Sequence, residues 1–137
     1  MDSASLDCRR ANLENRIAIR WTLTMIARVW ASRVTKSNLK AYLKHFSRNV
    51  LPDLRRYDGF ASALVLTRDL DNETEVVVNT FWKNLAAIKA FAGSDCEAAV
   101  VVPEAAALLT SYDKRVKHYV VDVADSSESI SLFAGRD

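Results

Sequence analysis

The chain has 137 residues, of which 50% are hydrophobic, and carries a formal net charge of +2. This length predicts a single domain with a real apolar core. The basic residues are too few and too scattered to predict a nucleic-acid partner, which needs a clustered basic face. The longest apolar run near the start, Trp21 to Ala27, is far shorter than the roughly 20 residues of a bilayer span, so we expect no membrane span.

Cysteine and histidine usage indicates the compartment and argues against a metal site. Cys8 and Cys96 are the only cysteines, and they lie in unrelated contexts. We expect two free thiols in a reducing cytosol rather than a disulfide framework, and therefore a cytoplasmic protein. His45 and His118 are too far apart in sequence to predict a zinc site. No flavin or other cofactor site is visible, so we expect no cofactor.

Residues 1–24 are polar and show no sustained hydrophobic period. This pattern predicts an N-terminal extension outside the fold, with at most a short helix over residues 9–16. Met25 opens the first convincing element, and we interpret it as the natural start of the protein, with the preceding residues an over-called or optional extension.

The first predicted strand covers residues 25–34, where side chains alternate between two faces. An amphipathic helix follows, capped by Thr35 or Ser37. Pro52 predicts a break or kink in its last turns, and His45, at the edge of the apolar stripe, is expected to be solvated. The stripe consists of Leu39, Tyr42, Leu43, Phe46, Val50, Leu51 and Leu54.

The centre of the chain predicts a hairpin that passes directly into a helix. Strands over residues 60–68 and 75–82 flank a polar loop at 69–73. After the second strand the period becomes helical, with Asn84 as the N-cap and Gly93 as the stop. The β-branched and aromatic composition of residues 75–82 is typical of a strand buried on both faces.

The last third is harder to interpret. Residues 98–102 are β-branched enough for a short strand, and Pro103 begins a short helix through Leu109. The last predicted strand covers residues 116–124. The serine-rich segment 125–137 is expected to be a mobile tail.

This element order, βαββαβ, predicts an α+β domain over residues 25–124 with a ferredoxin-like fold. Two helices can cover only one face of the four-stranded sheet. Yet the third strand carries Val76 and Val78 on one face and Val77 and Phe81 on the other. Because a large uncovered apolar face usually marks an interface, we expect a homodimer whose sheets face one another.

Several short motifs between residues 25 and 123 resemble the antibiotic biosynthesis monooxygenase superfamily, in particular its small single-domain bacterial members. The motifs are Met25-Ile26-Ala27-Arg28-Val29-Trp30, Tyr57-Asp58-Gly59-Phe60, Thr80-Phe81-Trp82-Lys83-Asn84-Leu85-Ala86-Ala87-Ile88, Phe91-Ala92-Gly93-Ser94-Asp95, Val102-Pro103-Glu104 and Val116-Lys117-His118-Tyr119. The resemblance implies a dimeric α+β barrel.

The same resemblance implies a cofactor-independent monooxygenase that binds an electron-rich anthrone or quinol in an apolar pocket. The deprotonated substrate would reduce O₂ itself, so the protein need supply only orientation, a base and hydrogen bonds for the developing oxyanion. The candidate catalytic residues are His118 as general base, Asn79 and Trp82. The candidate substrate-binding residues are Trp30, Arg28 and Phe91.

Each candidate also has an ordinary structural interpretation. Trp82 is typical of a core or interface aromatic, Asn79 can satisfy backbone groups in a buried strand, and Arg28 can pair with an acid across the sheet. His118 shares a face with Val116 and Val120, as a core histidine would. The alternative function is therefore a non-catalytic module that binds a small apolar ligand or dimerises.

Haem degradation, which also occurs in this superfamily, is disfavoured. That branch uses an asparagine, a tryptophan and an axial histidine, and the resemblance aligns these with Ser32, Phe91 and Val101. None of the three matches, and valine cannot ligate iron.

Overall fold

The computed structural model describes residues 25–125. The predicted extension 1–24, with its possible helix over 9–16 and Cys8, lies outside the described residues, as does the predicted tail beyond Asp125. Within the described part the fold is the expected α+β arrangement, an antiparallel sheet with helices packed on one face.

The sheet is built on two central strands that pair along their whole lengths. These are β1 (Ile26–Thr35) and β3 (Glu73–Trp82), in a register that places Ile26 opposite Trp82 and Thr35 opposite Glu73. Strand β2 (Phe60–Leu70) pairs with the outer edge of β3. With the fourth strand, β4 (Leu109–Tyr112), on the other side of β1, the resulting order β2-β3-β1-β4 is that of a ferredoxin-like sheet, so the predicted fold class is confirmed.

The edge of β1 that does not face β3 is shared by two short strands. Strand β4 (Leu109–Tyr112) pairs with the second half of β1, and β5 (Lys117–Val120) pairs with the first half. The sequence predicted a single last strand over 116–124. That prediction missed β4, because Leu109–Tyr112 directly continues a helical pattern.

The helices begin where the capping residues predict. Helix α1 (Lys36–His45) starts after Thr35, whose hydroxyl accepts from the Asn38 backbone N–H at 3.2 Å. Helix α3 (Leu85–Ala92) starts after Asn84, whose Oδ1 accepts from the Ala87 N–H at 2.9 Å. It ends at Gly93, whose φ of 94° favours glycine. Helix α4 comprises Pro103–Leu108.

Helix α1 does not stop at the predicted kink. It continues through a π-helical turn, Phe46–Val50, into the short helix α2 (Leu51–Leu54). Pro52 lacks an N–H and its ring would crowd the preceding turn of an α-helix. The wider π turn just before Pro52 accommodates both effects, so the segment 36–54 is one continuous arm, called here the helical arm.

Two predictions for the last third are wrong. Residues 98–102 do not form a strand; only Ala98 bridges to Arg115, because β4 and β5 already occupy the edge of β1. Cys96 is not a free thiol but is disulfide-bonded. The free-thiol prediction rested on the number of cysteines and their unrelated sequence contexts, which do not determine whether a thiol is oxidised.

The two faces of the sheet have different surroundings. The helices cover the face that carries Val76, Val78 and Trp82, and these side chains join the core. The opposite face, called here the open face, carries Leu66 at 48% exposure and Tyr119 at 54%. Within residues 25–125, every helix is too short or too polar to span a bilayer.

Candidate active site

A cavity of about 340 Å³ lies between the sheet and the helical arm. The segment 100–102 and the start of α4 close its side. Its wall is mostly apolar, and this volume and lining are typical of small-molecule sites. All three predicted substrate-binding residues, Arg28, Trp30 and Phe91, line it.

Arg28 is a buried cation in the sheet wall of this cavity, with 5% exposure. Its guanidinium donates to the carbonyl oxygens of Cys96 at 2.6 Å and Ala98 at 2.8 Å. Burial lowers the pKa of Arg28 to about 10, while the negative charge of Glu97 acts in the opposite direction and raises it. Arg28 therefore stays protonated at neutral pH and holds the segment that follows α3 against the sheet.

His118 lies directly opposite Arg28 in the β1–β5 register, and its Nε2 is 3.1 Å from Arg28 Nη1. A guanidinium can only donate, so Nε2 accepts and the ring hydrogen sits on Nδ1. Within residues 25–125 this Nδ1 is buried and has no hydrogen-bond partner. Burial, and next the charge of Arg28, lower the pKa of His118 to about 4.

These features bear on the predicted role of His118 as a general base. A base is most effective when its pKa lies near the working pH, whereas His118 is neutral and weakly basic there. It contacts a residue of the cavity wall and is itself buried behind it. Its position and low pKa both oppose the base assignment and favour a supporting role for Arg28.

Trp82 lies behind the cavity wall and is fully buried. Its ring stacks on Phe91 with centroids 5.4 Å apart and an interplanar angle of 28°. Its Nε1 donates to Thr80 Oγ1 at 2.9 Å, and Thr80 lines the cavity. Trp82 thus fixes two residues of the wall from behind, and Phe91 also lies under the Arg28 guanidinium, 5.6 Å from ring centroid to Cζ.

Trp30 and Asn79, the remaining candidate residues, lie on opposite faces of the sheet. Trp30 lines the cavity and its Nε1 donates to the Asp113 carbonyl at 2.7 Å. Asn79 alternates with Val78 and Thr80 on β3 and therefore belongs to the open face. Its Oδ1 is buried with no partner among residues 25–125. A catalytic role for Asn79 stays a prediction that this placement does not favour.

The helical arm contributes polar groups that the sequence interpretation missed. Tyr42, His45, Asn49 and Asp53 all line the cavity, and burial raises the pKa of Tyr42 to about 12. The prediction that His45 is solvated is wrong: its Nε2 is buried, without a partner in the described part of the chain. The spacing of Tyr42 and His45, one helical turn apart, is the signal that could have identified it.

Metal chemistry has no candidate centre in the described part of the chain. Among residues 25–125, no three His, Cys, Asp or Glu side chains come close enough together to hold an ion.

Comparison with known proteins gives the following matches. The family model described as antibiotic biosynthesis monooxygenase matches residues 25–101. A Bacillus cereus structure assigned to the same family superposes with a TM-score of 0.54 at 19% identity, covering 75% of this chain and 98% of that one. No curated protein is similar enough in sequence to count as a match.

A second structure is a mutant of SnoaB, a cofactor-independent oxygenase from Streptomyces nogalater. It gives a TM-score of 0.52 at 17% identity, with the same coverage of 75% and 98%. At these identities, the likeness to both structures is a likeness of fold.

Proposed function

Because this chain belongs to the antibiotic biosynthesis monooxygenase family, matched over residues 25–101, we propose that it is a cofactor-independent monooxygenase. Its proposed substrate is an electron-rich aromatic of the anthrone or quinol type. The observation that carries the proposal is a buried, protonated Arg28 in the wall of a mostly apolar cavity.

The chemistry of such a substrate needs little from the protein. An anthrone loses a proton from its methylene carbon to water, the carbanion reduces O₂ and forms a C–O bond, and the peroxide anion takes a proton back. The resulting peroxide loses water to leave a carbonyl, so one oxygen atom enters the product and the other leaves as water. Arg28 stabilises the anionic oxygen of the deprotonated substrate, which a positive charge in an apolar site does strongly.

The other predicted residues support this geometry in our proposal. Phe91 and Trp30 line the cavity and supply aromatic contact surface for a planar ligand, and Trp82 holds Phe91 in place. His118 keeps Arg28 oriented while adding no charge of its own at neutral pH. No base is assigned, because stabilising the substrate anion lowers the pKa of the substrate itself.

Oxygen uptake with dithranol, a hydroxylated anthrone, tests the proposal. We expect the protein to consume O₂ and form the anthraquinone well above the autoxidation rate in buffer. Exposed Arg55, which follows α2 and lies outside the cavity lining, gives the control variant Arg55→Met, which should retain the full rate. A rate equal to buffer would rule out this activity. If anthraquinones still raised the melting temperature, the chain would be a non-catalytic binding module instead.

We also propose that the protein is a homodimer through the open face of the sheet. The exposed Leu66 and Tyr119 lie on this face, and a second copy would cover them.

Light scattering on a size-exclusion column tests the dimer. We expect the wild type to elute at twice the chain mass at micromolar concentration. Leu66→Lys should shift it toward the monomer, because it buries a charge in the interface. The control is Val102→Lys, which changes a valine of similar exposure, 42%, on the cavity side. A monomeric wild type would disprove the dimer.

We propose the cytoplasm as the compartment. The disulfide at Cys96 argues against this proposal, because such bonds are rare in the cytosol. Alkylating the protein in intact cells before mass spectrometry decides whether Cys96 is reduced or oxidised there. A modified Cys96 would support the cytoplasm, and an unmodified one the oxidised form.

A further inference from the structure

The Tyr42 hydroxyl is a polar group of the cavity wall that makes no hydrogen bond within residues 25–125. Tyr42 belongs to the apolar stripe of α1, has 3% exposure and lines the cavity. Three other side-chain atoms of the described residues are both unpartnered and fully occluded, and they belong to His45, Asn79 and His118. The Tyr42 hydroxyl is unpartnered but is not one of these occluded atoms, so it borders open space.

The open space that this hydroxyl borders is the cavity. Tyr42 is a member of the hydrophobic core, which encloses the rest of its side chain. Because the residue lines the cavity and is otherwise enclosed, the accessible surface of its hydroxyl faces the cavity, where a ligand atom can approach it. Enclosure in the core also fixes the ring before a ligand arrives, which reduces the ordering cost of binding.

The chemical state of the hydroxyl determines which ligand atoms it can bind. Burial raises the pKa of Tyr42 to about 12, so the hydroxyl is neutral at neutral pH. A neutral hydroxyl can donate one hydrogen bond and accept others, and it therefore pairs with a carbonyl or a hydroxyl oxygen. A buried hydroxyl that finds no partner costs free energy, so a site that contains one rejects a ligand lacking the matching polar atom.

Tyr42 and Arg28 lie in different walls of the cavity, well apart along the chain. Strand β1 passes into α1 at Thr35, and Arg28 lies seven residues before this junction, as Tyr42 lies seven residues after it. At about 3.3 Å per strand residue and 1.5 Å per helical residue, their Cα atoms are roughly 12 Å or more apart. The Arg28 guanidinium is held by the Cys96 and Ala98 carbonyls. An extended ligand with oxygen atoms at separate positions can satisfy both groups.

We propose that Tyr42 is a substrate-binding residue whose hydroxyl hydrogen-bonds to a carbonyl or hydroxyl oxygen of an aromatic ligand. Through this bond it selects oxygenated rings over hydrocarbons of the same shape. The inference takes its ligand class, an oxygenated fused-ring aromatic, from the proposed function. It does not require turnover.

The first test compares binding of two ligands that share one ring system. The first, 1,8-dihydroxyanthraquinone, carries oxygen at several positions and is already oxidised, and the second, anthracene, carries none. We expect Tyr42→Phe to weaken binding of the quinone about tenfold, the effect of one lost hydrogen bond, and to bind anthracene at least as tightly as the wild type. Tyr119→Phe makes the same chemical change outside the cavity lining and should leave both Kd values unchanged.

The second test is the melting temperature of Tyr42→Phe without ligand. This substitution keeps the ring and removes an unpartnered hydroxyl from an apolar site, so the variant should melt at or above the temperature of the wild type. Added 1,8-dihydroxyanthraquinone should raise the melting temperature of the wild type more than that of the variant. A loss of more than about 4 °C in the unligated variant would reveal a structural hydrogen bond at the hydroxyl and overturn the inference.

The outcomes separate this inference from the proposed function. Weaker quinone binding by Tyr42→Phe, in a protein that does not oxidise dithranol, would leave the inference standing and remove the oxygenase. Dithranol oxidation with equal KM and Kd values for wild type and Tyr42→Phe would do the reverse. Absence of quinone binding by the wild type, or an equal loss of affinity for anthracene and the quinone in the variant, would overturn the inference.

Discussion

Replacing Arg28 by methionine is expected to lower the free energy of unfolding by about 4 kcal/mol. Methionine fills much of the arginine volume but leaves the Cys96 and Ala98 carbonyls without their donor. It also removes the positive charge beside buried Glu97. Removing one member of a buried pair of opposite charges is strongly destabilising. Urea denaturation at pH 7 measures the loss.

Two further variants make the result specific. Arg68→Met removes an exposed salt bridge to Glu75 and should cost less than about 1 kcal/mol. The double variant Arg28→Met, Glu97→Gln should recover part of the stability, because it also removes the acidic charge. If Arg28→Met cost no more than Arg68→Met, Arg28 would be solvated and our assignment of the cavity wall would fail.

The same double variant separates stability from activity. If Arg28 stabilises the substrate anion, kcat for dithranol oxidation should fall about 10²–10³-fold even where folding is restored, the range seen when one oxyanion donor is removed. Full activity in the folded double variant would show that the cation is structural only.

Acidification from about pH 6.5 to about pH 4 is expected to destabilise the protein by about 3 kcal/mol through His118 alone. The folded state holds the pKa of His118 at about 4, below its ordinary value of 6.5. In this window the unfolded chain therefore binds a proton that the folded chain does not. Stability is fully present above the unfolded pKa and is lost as the pH falls toward the folded one.

His118→Gln is the variant that isolates this effect. Glutamine keeps an acceptor for Arg28 but does not titrate, so the stability of the variant should vary far less between pH 6.5 and 4.5. Most carboxylates remain ionised over this narrower range. Parallel curves of unfolding free energy for wild type and variant would assign the pH dependence to other groups.

The sequence predicted the fold well where local and tertiary signals agree. The residues around β3 and α3 combine a β-branched run, a capping asparagine and a terminal glycine, and each acts as predicted. The ferredoxin-like topology then follows from element order. In contrast, Leu109–Tyr112 becomes strand β4 because an edge of β1 is available, and no local pattern encodes that edge.

The candidate site was predicted only in part, for related reasons. Arg28, Trp30 and Phe91 were found because they belong to apolar elements and have polar or aromatic character. His45 was assigned to solvent because a regular α-helix was assumed, and the π turn after it was not foreseen. The low pKa of His118 depends on burial beside Arg28, which requires the strand register.

The strict alternation along β3 has a consequence for engineering and for the evolution of this chain. Even-numbered positions such as Val78 and Thr80 line the ligand cavity, and odd-numbered positions such as Val77 and Asn79 belong to the open face. Ligand preference can therefore be redesigned at the even-numbered positions without changing the residues of the open face. A one-residue insertion or deletion in β3 would move the cavity-facing side chains to the open face and the open-face side chains to the cavity. This strand should therefore tolerate substitution far better than a change of length.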